Sequence, residues 1–172
     1  MDVGNSFGLV DTYLPQHIIA LRLLMAAIFG AMIGFEREIN TAEAGLRTHI
    51  LIAVAAALFT ILTFEIFHTI EAGPEGPRAD PIRAVEAVTA GIAFLGAGAI
   101  FRSGRNVQGL TTGAGMWLAG AVGVATALGY YIIAGMVALF AILVLAALRV
   151  VAHSIAGGKP DPTLATGRGE KP

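Results

Sequence analysis

Five apolar stretches, each close to the length of a bilayer span, set the limits on what this chain can fold into. They run from about His17 to Phe35, His49 to Ile70, Ala84 to Phe101, Gly113 to Leu128 and Tyr130 to Ala152. A membrane helix needs about 20 mostly apolar residues. Only Gly129 parts the last two stretches, so they read as a tight helical hairpin. Fusing them would demand a helix of about 40 residues, far beyond one span. With 56% hydrophobic and 13% charged residues, the chain has half the charge of a soluble domain, which carries about 25%. The expected fold is all-α, a polytopic membrane protein of five transmembrane helices with little outside the bilayer.

Lysine and arginine set the orientation. With the N-terminus outside, the inner side receives Arg37, Arg47, Arg102, Arg105, Arg149, Lys159, Arg168 and Lys171. The outer side then receives Arg78 and Arg83, and Arg22 lies inside the first span. Eight against two predicts N-out, C-in. Residues 1–16 form an outer segment without Lys or Arg, so no cleavable signal with a basic start is expected. Residues 17–152 make the membrane domain. Residues 153–172, rich in Gly, Pro and charge, read as a disordered inner tail. The three-proline loop from Glu71 to Pro81 reads as irregular.

Several function classes drop out early. The net charge of −1 offers no nucleic-acid surface, and the absence of cysteine removes thiolate chemistry. His17, His49, His68 and His153 lie near different helix ends, without metal-ligand spacing. No nucleophile-elbow, phosphate-loop or zinc-protease motif occurs, so neither an enzyme nor a resident cofactor is expected.

Charges within spans are costly and therefore informative. Arg22, Glu65 and Glu86 fall at a similar outer level, where Arg22 pairs sensibly with Glu65 or Glu86. That pairing reads either as an ion site or as a structural pin. At the inner ends, Glu36, Arg37, Glu38, Arg47, Thr48 and His49 crowd a short connection, and Arg102 arrives on the same side. This is either a ligand site or a charged membrane boundary. Gly91, Gly96 and Gly98 in the third span, and Gly115, Ala119 and Gly123 in the fourth, present small residues at helical spacing, which points to close helix packing. Such packing is compatible with a homodimer or with a separate membrane-protein partner, beyond the lipid bilayer itself.

The stretch GFEREINTAEAGLRTHILIAVAAALFTIL resembles the MgtC/SapB family signature. DPIRAVEAVTAGIAFLGAGAIFRSGRNVQGLTTGAGMWLAGAVGVATALG is similar to its second half, in the same order and spacing. The matching positions include Gly34, Glu36, Arg37, Glu38, Gly45, Leu46, Arg47, Thr48 and His49, then Asp80, Pro81, Arg83, Gly91, Phe94, Leu95, Gly96, Gly98 and Gly109 to Thr112. Ala87 and Ala93 depart from the family pattern, and the short tail stands where virulence-associated members carry a soluble domain. The resemblance implies a bacterial inner-membrane protein tied to growth in low magnesium, acting as a small transporter or as a regulatory module. Mg2+ would enter as ligand or signal. It requires oxygen ligands and keeps several waters; Glu36, Asp80 and Glu86 are the candidate carboxylates, although they do not share one level. The signature turns the inner polar cluster into the preferred site. There, Glu36 or Glu38 is expected to pair with Arg47 or Arg102.

Overall fold

The computed structural model describes residues 12–40, 42–71, 80–103 and 106–156. Five helices carry the fold: α1 (Gln16–Glu38), α2 (Leu46–Glu71), α3 (Pro81–Gly98), α4 (Leu110–Ala127) and α5 (Tyr131–Ala156). Between α3 and α4 lies a small antiparallel hairpin, β1 (Phe101–Ser103) and β2 (Asn106–Gln108), with Arg102 opposite Val107. Among the described residues four helices, at 16–38, 46–70, 110–127 and 131–151, are long and apolar enough to cross a membrane.

The expected boundaries shift at two places. The third span ends at Gly98 instead of running to Phe101, because the chain turns into β1 there. α5 continues to Ala156, so residues 153–156 are helical and do not belong to a disordered tail. The rest of that tail, residues 1–11 and most of the proline-rich loop lie outside the described residues.

Local chemistry explains where the helices start and stop. Asp80 caps α3, its carboxylate accepting from the Ile82 N–H at 3.0 Å, and Pro81 takes the first helical position, where no N–H is needed. The α4–α5 hairpin turns at Gly129, whose φ of 87° is left-handed. Its N–H donates to the Thr126 carbonyl and that of Tyr130 to the Ala125 carbonyl, the paired closure of a helix C-terminus. Gly109 opens α4 with φ 82°, and a Cβ there would run into the Ala99 carbonyl. Only glycine suits that position.

α4 is the axis of the bundle and packs against each of α1, α2, α3 and α5. It can do so because its buried residues are mostly small: Gly113, Gly115, Ala119, Gly120, Gly123 and Ala127 among them. Gly120 sits on Ile92 of α3, and Gly123 on the Ala53 backbone of α2. Larger residues would hold these helices apart. The two buried threonines of α4 are Thr112 and Thr126; the Thr126 hydroxyl donates back to the Val122 carbonyl at 2.7 Å, which leaves Thr112 as the polar group turned to neighbours.

By contrast, α3 lies on the flank. Among its residues only Ile92 and Gly96 are buried, while Phe94 is 79% exposed. A methyl added at Gly91 or Gly98 would meet nothing within 4 Å. These two glycines, expected in helix packing, face away from the other helices of this chain because α3 presents a different side to α4.

Candidate functional site

The polar groups gather where α1 ends and α2 begins. α1 closes at Glu38, and a seven-residue connection leads to Leu46. The Glu38 carboxylate reaches forward to accept the Leu46 N–H at 2.9 Å, placing an anion at the positive end of α2. Gly45 makes room for it, since a Cβ there would strike the Glu38 carboxylate.

Glu36 is only 5% exposed and faces α5, where Arg149 donates to its Oε1. Asn40 donates to the same oxygen at 3.1 Å. The partner seen at Glu36 is thus a residue 113 positions away, where Arg47 or Arg102 was expected. The reason is rotational. Phe29, Ile33 and Glu36 share one buried stripe of α1, and Phe29 already packs on Gly135 of α5. The stripe therefore aims Glu36 at α5. Arg47 and Arg102 lie exposed, on the first turn of α2 and on β1, and Thr48 is half-buried.

Arg37, on the adjoining face, donates through Nη2 to the Thr112 hydroxyl at 3.0 Å, and that hydroxyl donates to Glu43 Oε2 at 2.8 Å. Thr112, 1% exposed, thus joins the end of α1, the α1–α2 connection and the start of α4. The bond from Thr112 holds the Glu43 carboxyl below its usual range, assisted by its own backbone N–H and by Arg37. His49, in the first turn of α2, is fully buried, and its Nδ1 lies 2.8 Å from the Gly45 carbonyl oxygen.

The expected outer pairing takes another form. Arg22 donates to the Ala127 carbonyl at the C-terminus of α4, where a helix dipole favours a cation. Glu65 accepts the N–H groups of Tyr13 and Leu14 at 2.7 and 3.0 Å, and the Tyr13 ring stacks on His68 at 3.6 Å. Glu86 is exposed on the second turn of α3. Each of Arg22 and Glu65 finds backbone groups nearer than the other's side chain. Asp80 lies beside Ile66 and Phe67 at the α2–α3 end, with Arg83 in the first turn of α3, and both are separate from the cluster at the α1–α2 connection. Their contact is a 3.9 Å surface approach. Among the described residues, no three His, Cys, Asp or Glu side chains converge as metal ligands.

Sequence reasoning missed Glu43, Asn40 and Arg149 as members of the cluster, and carried Thr112 only as a motif position. A polar Thr at the start of an otherwise small and apolar helix was the available signal for Thr112. Nothing local marks Arg149 as the partner of Glu36.

Helices of this length and composition define a helical membrane protein. The chain belongs to the MgtC family, whose family model matches residues 23–154. It is 42% identical to Protein MgtC of Brucella abortus (strain 2308) over 124 residues, 72% of this chain and 48% of that relative. Against Protein MgtC of Salmonella typhimurium (strain LT2), identity is 40% over 111 residues, covering 64% and 44%. An uncharacterized protein of Haemophilus influenzae is 33% identical over 129 residues, covering 74% and 54%. The chain therefore spans about half the length of the relatives it matches. No solved structure matches it.

Proposed function

We propose that this chain serves a bacterial inner membrane in adaptation to magnesium limitation or related stress, as a non-enzymatic, non-transporting module that acts on another membrane protein. The observation that carries this reading is the closed axis: α4 fills the centre of the bundle with small residues in contact with three neighbours, Gly115 on His49, Gly120 on Ile92 and Gly123 on Ala53. The open grooves lie at the flanks. One of them, 610 Å³ between α2 and α3, is lined by apolar residues such as Leu51, Phe59, Ala87 and Leu95. The small stripe of α4 is consumed within the chain, so the face that suits a membrane partner or a second copy is that of α3, with Phe94, Gly91 and Gly98 outward.

The same reading has five spans, N-out and C-in. α3, 18 residues long, covers about 27 Å at 1.5 Å per residue, close to a bilayer core. Arg83 and Glu86 sit in its first two turns, within reach of the headgroups. The family resemblance supports the link to magnesium, with Mg2+ as signal more than ligand.

The test is flux and capture together. Purified chain in proteoliposomes should pass no more Mg2+ than empty vesicles, and crosslinking in native membranes should recover a stoichiometric partner. A deletion strain should grow poorly in low magnesium and regain growth with the intact gene but not with a Phe94→Arg copy. Mg2+ flux abolished by Glu36→Gln would overturn the reading in favour of transport, which the buried carboxylate of Glu36 at the inner end would then explain.

A further inference from the structure

His49 lies in a slot made by two glycines. A Cβ at Gly34 of α1 would come within 2.9 Å of the His49 Cβ, and one at Gly115 of α4 within 3.1 Å of Nε2. A carbonyl oxygen cannot donate, so the 2.8 Å contact with Gly45 requires the proton on Nδ1. Nε2 is then a bare acceptor, in a side chain with no solvent exposure. No described residue donates to it, and none accepts from the buried Nε–H of Arg37.

Arg37 and His49 meet the same layer of the bundle. Gly34 precedes Arg37 by one turn of α1, and Gly115 follows Thr112 by one turn of α4. The imidazole therefore sits one turn deeper than the Arg37–Thr112 contact, and Arg37 acts on it electrostatically. α1 presents Glu36 and Arg37 to this layer, the connection presents Glu43, and α4 presents Thr112 and Gly115.

We infer that one water molecule binds in the notch over Gly115, accepting from Arg37 Nε–H and donating to His49 Nε2. The chemistry selects it. A cation would stand beside the guanidinium, and an anion would face the imidazole lone pair. A neutral donor–acceptor no larger than the methyl that glycine omits satisfies both orphaned groups. Water in such a site takes two to four polar partners, roughly what is offered here. Bound there, it completes a hydrogen-bonded chain from exposed Glu43 through Thr112 and Arg37 to buried His49 and Gly45. That chain ties α1, α2, α4 and their connection into one unit. The site does not depend on the function proposed above.

The experiment is solid-state NMR of the full chain in nanodiscs, with 15N-histidine labelling and the His49 signals assigned by their loss in His49→Gln. The wild type should show Nδ1 protonated, Nε2 unprotonated, and magnetisation transfer from water to Nε2. Gly115→Ala should abolish that transfer, and Arg37→Leu should reduce it severalfold. Gly91→Ala, where the methyl meets open space, should leave it unchanged. A wild-type spectrum with Nε2 protonated, or without water transfer, overturns the site irrespective of how any variant folds. So does transfer that persists in a folded Gly115→Ala.

Discussion

The two ends of the bundle neutralise charge in different ways. At the end that carries the α1–α2 connection, inner in the topology proposed above, charges meet other side chains across helices: Glu36 meets Arg149, and Arg37 reaches Glu43 through Thr112. At the opposite end, outer in the same topology, they meet backbone: Arg22 the Ala127 carbonyl of α4, and Glu65 the N–H groups ahead of α1. Backbone partners are present whatever the sequence, so the outer end tolerates change in its neighbours. Side-chain partners must be encoded, and the inner end therefore depends on particular residues far apart in the chain.

The largest effect should come from opening the inner pair. Glu36→Ala leaves Arg149 facing a buried slot, and removing one partner of a buried pair costs about 3–5 kcal/mol. Because Arg149 keeps 38% of its side chain exposed, the lower end of that range is expected. Unfolding in detergent should show the loss, and Glu36→Ala with Arg149→Leu should recover much of it. Glu65→Ala at the outer end should cost about 1 kcal/mol, the usual net worth of a hydrogen bond. Equal losses at the two ends would erase the distinction.

A second contrast sets the two left-handed glycines against each other. Gly109→Ala forces a Cβ into the Ala99 carbonyl, and strain of this kind costs about 1–3 kcal/mol before any clash. Gly129→Ala brings its Cβ only to the mobile tip of Arg22, 3.4 Å away, and should cost about 1–2 kcal/mol. Melting temperatures should fall further for the inner substitution.

The smallest effect concerns acid. The folded carboxyl of Glu43 titrates below its usual value of 4.5. Its contribution to stability is complete above the unfolded value and disappears as pH falls through the lower folded one. Stability measured from pH 6 to pH 3 should therefore drop less steeply in Glu43→Gln than in the wild type. An identical slope would remove Glu43 from the inner network.

Much of the architecture is legible in the amino-acid order. The spans, the turn at Gly129 and the crowding of polar residues at the α1–α2 connection all follow from apolar length, glycine placement and charge. The hairpin at 101–108 was not legible, since FRSGRNVQ carries too few residues to show a strand period. Helix rotation was also hidden. Gly115, Ala119 and Gly123 point inward while Gly91 and Gly98 point outward, although all read as the same small-residue pattern.

The sequence by itself determined that this chain is helical and apolar enough to cross a membrane, and it marked the crowding of polar residues at the α1–α2 connection. Hydrophobic length and local turn chemistry act within a few residues, so they can be read in order along the chain. Only the tertiary structure decided that Glu36 meets Arg149, that Thr112 bridges Arg37 to Glu43, and that His49 rests on Gly115. Those partners depend on how each helix is rotated against α4, and rotation is set by the packing of all five helices together.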